Sequence, residues 1–137
     1  MTVQARNTGF EFTYACTVAD PGGANADSSN ILGFKAPFDC EIVSITHVPL
    51  AVWVAAAPAN DATLTVKKNN GNSVATLAVQ SALAAGSDNA MTMTSTLADK
   101  RLVKDDKLTI DTTTNGTADA PLSQYIVRYK ALNTAHK

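Results

Sequence analysis

The sequence has little charge and no extended cluster of basic residues. Of its 137 residues 17% are charged, and 11 basic against 12 acidic side chains leave a formal net charge of −1. Basic residues gather in nothing larger than pairs such as Lys100 and Arg101. Because nucleic-acid binding requires several phosphate contacts from Lys or Arg, we expect no nucleic-acid partner. Ala, Thr, Ser and Asn are abundant in place of the Lys and Glu that soluble proteins usually carry. A surface of this composition is suited to extensive contact with a partner.

Long hydrophobic runs are also missing. Residues 1–7 contain no apolar segment of the kind that a signal peptide needs, and the longest apolar stretch, residues 48–59, is interrupted by two prolines. That stretch is too short to cross a bilayer. We therefore expect neither a standard secretion signal nor a membrane segment.

Recognised catalytic and metal-binding motifs do not occur. Cys16 and Cys40 form no CxxC pattern, so we expect two buried free thiols rather than a metal knuckle or a redox pair. The sequence holds no P-loop, no GxSxG, no HExxH and no dinucleotide-binding fingerprint. It therefore predicts a protein that is not an enzyme, with no cofactor, no metal site and no catalytic residues.

Two groups of acidic residues have an alternative chemical interpretation. Asp20 and Asp27, with Asn25 and Asn30, offer oxygen ligands for calcium, but their spacing matches no calcium loop and indicates turn residues. A second group, Asp105, Asp106 and Asp111, would suit glycoside hydrolysis only if one acid stayed protonated in an apolar site. Lys104 and Lys107 flank the first two acids, so the pattern favours a solvated turn.

His47 is the one histidine placed within a predicted strand. It shares strand parity with Val43 and Ile45 and therefore points to the apolar side. As a general base it would need a carboxylate or nucleophile that the sequence does not place. We expect a hydrogen-bonded core or interface histidine.

Alternation with period two dominates the chain and predicts strands. In the first strand, Phe10, Phe12, Tyr14, Cys16 and Val18 share one face, which we expect to be core. The surest hairpin joins residues 62–68 to residues 73–80 through the turn at residues 69–72. Residues 81–86 are compatible with one helical turn, and residues 90–97 with a further strand.

Eight or nine short strands without long helices predict an all-β fold, a two-sheet β-sandwich of the jelly-roll type. The domain is expected to span residues 10–132. Residues 1–9 lack periodicity and are predicted to form a flexible N-terminal arm, and residues 133–137 a C-terminal tail.

Trp53, the single tryptophan, stands between Val52 and Val54 in a segment whose two strand faces are both apolar. The segment is either a central core strand or a strand with one face in a subunit contact, because buried aromatic anchors are typical of interface centres. These three residues are the best interaction candidates in the domain. Sugar stacking on Trp53 would require polar neighbours, which the segment lacks.

Four segments together resemble the small head proteins of tailed bacteriophages: GFKAPFDCEIVSI at residues 33–45, ATLTVKK at 62–68, residues 102–110, and YIVRY at 125–129. The corresponding family pattern has F.AP.DCEIVSI, LTV.K..G, L..GD.L and a terminal V.V.Y strand. Residues 104–108, KDDKL, depart from the Gly-Asp-Arg-Leu of many relatives but still suit a turn.

The resemblance to capsid cement, decoration or head-fibre proteins implies a jelly-roll subunit, often a homotrimer. It implies a position on the outer surface of the virion head, after assembly in the host cytoplasm, where the subunit bridges neighbouring copies of the major capsid protein. Such a contact requires area and shape rather than a reactive group. Two features of the sequence itself, its low charge and the apolar segment at Trp53, are compatible with that role.

The N-terminal arm adds a second interaction candidate. Residues 1–9, including Val3, Gln4 and Arg6, have two interpretations: a frayed terminus, which is the more common outcome, or an arm that orders on binding by adding a strand to a neighbour's open sheet edge. The main alternative function is a carbohydrate- or receptor-binding β-sandwich of a tail fibre, which would present an exposed aromatic platform or a metal-bound sugar site. A sandwich-fold enzyme is the third class, and no nucleophile, base and orienting group can be nominated for it.

Overall fold

The computed structural model describes residues 10–56 and 58–132. Over these residues the chain forms ten strands and a single helical turn. Val3, Gln4 and Arg6, the rest of the predicted arm, and the predicted tail at 133–137 lie outside the described residues. The elements are β1 (Glu11–Val18), β2 (Ser28–Lys35), β3 (Cys40–Pro49), β4 (Ala62–Lys68), β5 (Ser73–Val79), β6 (Asn89–Ala90), β7 (Thr92–Met93), α1 (Leu97–Lys100), β8 (Arg101–Leu102), β9 (Lys107–Thr114) and β10 (Ser123–Ala131).

The strands form two sheets, and every strand pair is antiparallel. The first sheet has the order β1-β10-β3-β6, with β8 also pairing with β3, and the second has the order β2-β9-β4-β5-β7. The first four strands therefore alternate between the sheets, and the last strand lies beside the first and third. This connectivity is that of a jelly roll. The predicted all-β, two-sheet sandwich is confirmed.

The β4–β5 hairpin follows from local sequence, as predicted. Ala62, Leu64 and Val66 are buried in β4, as its alternation requires. The turn residues Asn69 and Asn70 both have positive φ, 51° and 61°. Positive φ at both central residues, with Gly71 N–H bonded to Lys68 O at 2.8 Å, is typical of a type I′ turn, a conformation that Asn tolerates.

Only the end of the aromatic face of β1 reaches the core, at Val18 and partly at Cys16, which corrects the sequence-based expectation for the three aromatic residues. β1 is an edge strand, because among the described residues it pairs only with β10. Phe10, Phe12 and Tyr14 remain 66%, 38% and 46% exposed, whereas Val18 is buried and Cys16 is half-buried. Alternation assigned the face correctly, but an edge strand has no neighbour to cover its outer side.

Residues 81–86 do not form the predicted helical turn. Leu83 instead exchanges two backbone hydrogen bonds with Trp53, at 2.9 and 3.1 Å, so its backbone groups are satisfied across the fold. The predicted strand at 90–97 is divided: β6 pairs with β3 and β7 with β5, and buried Met91 lies where the chain crosses between sheets. The helical turn of the described chain is α1, which follows directly.

The two ends of the sandwich differ in composition. At one end, called the tip, four loops meet: residues 19–27, the described residues of 50–56 and 58–61, and residues 80–88 and 115–122. Backbone bonds from Asn25 N–H to Ala118 O (2.8 Å) and from Leu50 N–H to Leu122 O (2.9 Å) hold the loops together. The opposite end, called the base, consists of residues 36–39, 69–72 and 103–106.

Candidate interaction surfaces

Trp53 belongs to the core. Its side chain is fully buried, and its indole meets the ring of His47 edge-on with 5.5 Å between the centroids. Its backbone pairs with Leu83, so the segment at Trp53 forms an isolated bridge rather than a full central strand. Of the two sequence-based alternatives the core placement is therefore correct, and the assignment of Trp53 itself to an interface is corrected, because its side chain is out of a partner's reach.

Val52 and Val54 point the opposite way and are 60% and 58% exposed. In extended chain, neighbouring side chains face opposite sides, so burying Trp53 turns both valines outward. Leu50 and Leu122, whose backbones are hydrogen-bonded, are also exposed at the same end. These four side chains are called the tip patch. The predicted interface role of Val52 and Val54 stays a prediction, and the fold adds two leucines to it.

A second exposed apolar surface lies along one side of the sandwich, where β1 and β2 form the edges of the two sheets. Within residues 10–56 and 58–132 the outer sides of both strands are unpaired. The large exposed apolar side chains there, called the apolar edge, are Phe10, Phe12, Tyr14, Ile31 and Leu32.

Aromatic packing holds the apolar edge in place. Phe12 stacks on Tyr129 with 5.4 Å between centroids and meets Phe38 edge-on, also at 5.4 Å. Tyr14 lies 5.5 Å from Phe34, which in turn lies 4.9 Å from Tyr129. Two unpaired sheet edges beside fixed, half-exposed aromatic rings are typical of an association surface.

The charges of the tip all have one sign. Its four loops contain Asp20, Asp27, Asp61, Asp88 and Asp119 but no Lys or Arg. Among the described residues, each ion pair of the chain is formed outside these loops. The sequence alone did not reveal this asymmetry, because the four loops are far apart along the chain. Each loop lacks Lys and Arg, but only the fold shows that they lie at one end.

His47 is structural in this fold. Its ring is buried, Nε2 lies 2.9 Å from the Ser123 hydroxyl, and the ring packs 5.2 Å from that of Tyr125. Burial lowers the pKa of His47 to about 4, so the imidazole is neutral at pH 7. This arrangement matches the expected hydrogen-bonded core histidine and leaves no path to a substrate.

Three members of the first acidic group, Asp20, Asn25 and Asp27, lie in the loop before β2, as expected, whereas Asn30 lies within β2 and is not a turn residue. Asp27 Oδ1 accepts a hydrogen bond from Thr114 N–H at 2.7 Å, and Asp20 Oδ1 accepts one from Gly22 N–H at 2.8 Å. Asn25 and Asn30 have positive φ, a conformation that Asn tolerates. Over the part of the chain that the structure describes, no three His, Cys, Asp or Glu side chains are grouped as metal ligands.

The second acidic group is divided between turn and strand and is paired with lysines. Asp105 and Asp106 lie in the turn before β9 and pair with Lys35 and Lys68, at 3.7 and 3.9 Å. The partners are therefore not the sequence neighbours Lys104 and Lys107. Burial alone would raise the pKa of Asp106, but hydrogen bonds from Asn69 and from Val103 N–H and the charge of Lys68 lower it below its ordinary value. The side chain of Asp105 is exposed, so this group offers no acid in an apolar site of the kind that glycoside hydrolysis requires.

Asp111 lies within β9, away from that turn, and forms a close pair with Lys67 at 2.7 Å. Burial alone would raise the pKa of Asp111, but hydrogen bonds from Lys67 and from Asn30 N–H outweigh burial and lower the pKa below its ordinary value. The carboxylate is therefore a charged structural group.

The two cysteines are free thiols, Cys40 buried and Cys16 half-buried. Burial, followed by the charges of Asp39 and Asp106, raises the pKa of Cys40 to about 11. Burial also raises the pKa of Cys16. Both therefore remain protonated at pH 7, and a thiol in that state is a poor nucleophile.

The solved structures that resemble this chain and are described below share little sequence with it. No protein-family model and no curated protein matches it. A solved structure described as "Bacillus endospore appendages form a novel family of disulfide-linked pili" is 12% identical, with 96% of this chain and 100% of that chain covered and a TM-score of 0.42. A structure of the Gx strain of infectious bursal disease virus is 16% identical over 91% of this chain, with a TM-score of 0.35.

A third solved structure, the CBM22-1-GH10 modules of a Clostridium thermocellum xylanase, is 14% identical over 93% of this chain, with a TM-score of 0.36. This chain spans 34% of the viral chain and 26% of the xylanase chain. No helix in the described residues is long and apolar enough to span a membrane. None of these findings identifies a family, so the contact surfaces carry the proposal that follows.

Proposed function

We propose that this chain is a viral structural protein: a capsid cement or decoration protein that binds the outside of a bacteriophage head. It bridges neighbouring major capsid subunits and thereby stabilises the shell. The observation that carries the proposal is the presence of two separate exposed apolar surfaces, the tip patch and the apolar edge, on one small sandwich.

A bridging subunit needs at least two contact surfaces, and this chain has them on different parts of a rigid core. Scattered exposed apolar residues are ordinary in soluble proteins, whereas grouped ones mark interaction sites. The tip patch groups Leu50, Val52, Val54 and Leu122, all more than 40% exposed. A cement protein acts through contact area and shape, so it requires no reactive group.

The two surfaces suit two kinds of contact. The apolar edge, with two unpaired strand edges, suits association of copies of this chain into a homotrimer. Residues 1–9, with Val3, Gln4 and Arg6, are followed by Phe10 and then by β1, and we propose that they add a strand to the open edge of a neighbour. The tip patch is then the surface that faces the major capsid protein on the outer side of the head.

Absence of enzymatic activity and of a cofactor is part of the proposal. Its support is that the side chains with catalytic potential already serve the fold: His47 is bonded to Ser123, and Asp111 is paired with Lys67. Nothing in the proposed role depends on a nucleic acid or a membrane.

The direct test is binding to purified shells of the same virus that lack this protein. The wild-type protein is expected to sediment with the shells and to raise the temperature at which they release their contents. A variant with Val52→Asp and Val54→Asp is expected to lose both effects, whereas Val103→Asp, at an equally exposed position of the base, is expected to keep them. Failure of the wild-type protein to bind the shells would refute the proposal.

The second candidate function is carbohydrate or receptor binding as part of a tail fibre. The observation that favours it is the row of exposed aromatic rings along β1, Phe10, Phe12 and Tyr14. Aromatic faces of this kind can serve as sugar-stacking platforms. A glycan array, probed with and without EDTA, distinguishes the two: a specific glycan signal lost on Tyr14→Ala would favour the second function.

A further inference from the structure

We infer that the tip docks on a protein surface that carries Lys or Arg residues around an apolar centre. This inference deepens the proposed function and rests on it for the identity of the partner, the major capsid protein, but not for the chemistry of the contact. The observations that carry it are an exposed apolar patch and, in the loops of the same end of the molecule, charges of one sign only.

The apolar centre is fixed in shape. Trp53 anchors the segment in the core, and its two backbone bonds to Leu83 hold Val52 and Val54 outward. Val54 forms a further backbone bridge to Asp119. The patch is therefore presented on tethered backbone, which lowers the entropy lost when a partner binds.

The charge around this patch differs from that of the rest of the molecule. All nine described Lys and Arg residues lie outside the tip, where they stand beside seven acids. The tip loops hold five acids and no base. The molecule is therefore polarised along its long axis, with an excess of negative charge at the end that carries the tip patch.

Several of these carboxylates are already positioned by local hydrogen bonds. Asp61 Oδ1 accepts a bond from the Asn115 side chain at 2.8 Å, and Asp20 Oδ1 accepts one from Gly22 N–H at 2.8 Å. The donors are neutral, so the negative charges are not cancelled. A partner with basic side chains gains attraction and a fixed register from such groups.

The same charges exclude other occupants. Tip-to-tip contact between two copies would bring together two sets of loops that carry only negative charges, and like charges brought together across an interface cost free energy. Nucleic acid and anionic membranes would be repelled for the same reason. The charge pattern therefore favours a basic protein surface over a second copy of this chain.

The first test uses a defined probe and the complete protein. The probe is a helical peptide with Leu on one face and Lys on its flanks, and the matched control peptide has Glu in place of Lys. Amide resonances of the protein are followed during titration. We expect shifts confined to the tip loops, no response to the Glu peptide, and an affinity that falls about tenfold as salt rises from ~0.05 to ~0.5 M.

Two matched variants decide whether the tip charges are responsible. The tip variant carries Asp61→Asn, Asp88→Asn and Asp119→Asn, and the control variant carries Glu11→Gln, Asp99→Asn and Asp105→Asn, so both lose the same charge. We expect the tip variant to bind the Lys peptide at least about tenfold more weakly and the control variant to bind like the wild type. Equal affinities of the two variants, or shifts located at the base, would overturn the inference.

The second test applies the variants to the shells and separates the two proposals. If the wild-type protein sediments with the shells and the tip variant does not, both the cement function and the role of the tip charges are supported. Equal binding of wild type and tip variant overturns the role of the tip charges and leaves the cement function standing. Wild-type protein that does not bind shells overturns the cement function, and the peptide titration then decides the tip inference alone.

Discussion

The ring of His47 lies edge-on to the indole of Trp53, with 5.5 Å between their centroids, inside the core of the sandwich. Both side chains are fully buried. His47 has one ring nitrogen bonded to Ser123, and its Nδ1 has no hydrogen-bond partner among the described residues. The pair therefore tolerates a neutral imidazole and opposes a charged one, because charging would bury an uncompensated cation.

Acid is expected to destabilise the protein through His47. Its pKa is about 4 in the fold against 6.5 ordinarily, so the unfolded chain takes up a proton first as the pH falls. The stabilising effect is fully present above pH 6.5 and is lost as the pH falls towards 4. Between pH ~7.5 and ~4.5 this group alone should cost about 2–3 kcal/mol.

The measurement is urea unfolding at both pH values, followed by circular dichroism. His47→Gln serves as the control, since glutamine is neutral throughout. The variant should lose less stability than the wild type over the same pH interval. An identical loss in both proteins would show that other groups cause the acid sensitivity.

Replacing Trp53 is expected to destabilise the fold, whereas replacing its neighbour Val52 is not. Truncation of a fully buried tryptophan leaves a cavity and should cost about 3–5 kcal/mol in Trp53→Ala. Val52 is 60% exposed, so Val52→Ala should change stability by less than ~0.5 kcal/mol. Urea denaturation by circular dichroism compares them, and a destabilised Val52→Ala with an unaffected Trp53→Ala would reverse the assignment of inner and outer faces.

This contrast shows what the sequence can and cannot specify around the tip. In the segment from Val52 to Val54 every side chain is apolar, so alternation cannot say which face is inward. Burial in the structure places Trp53 on the inner face, and the isolated bridge to Leu83 that holds this segment joins distant parts of the chain. Leu122 joins the patch for the same non-local reason.

Much of the fold could be predicted because its signals are local. The Asn69–Asn70 turn and the alternation of β4 predict a hairpin without knowledge of the rest. The position of a strand within its sheet is not a local property. Alternation predicts which face of β1 points inward, but it does not predict that β1 is an edge strand. Phe12 and Tyr14 were therefore expected in the core and are instead partly exposed, at 38% and 46%.

Gly116 is expected to be irreplaceable in the loop between β9 and β10. Its φ is +62°, and an added Cβ would lie 2.0 Å from Asn60 Oδ1 and 2.4 Å from Ala59 O. Gly116→Ala should cost at least ~2 kcal/mol and lower the melting temperature by about 5 °C or more. Gly23→Ala is the control, because nothing lies within 4 Å of the added Cβ there. Equal melting temperatures for the two variants would contradict the prediction.

The apolar edge is expected to hold the proposed homotrimer together, and one charge should disrupt it. Leu32 on β2 is 57% exposed, and a lysine on an edge strand opposes pairing with another chain because its charge would have to leave water. Light scattering should therefore find a trimer for the wild type and a folded monomer for Leu32→Lys. Val103→Lys, at a base position that is 60% exposed, should remain trimeric, since it changes charge equally without touching the edge. If both variants stay trimeric the contact lies elsewhere, and if both dissociate the cause is net charge rather than the edge.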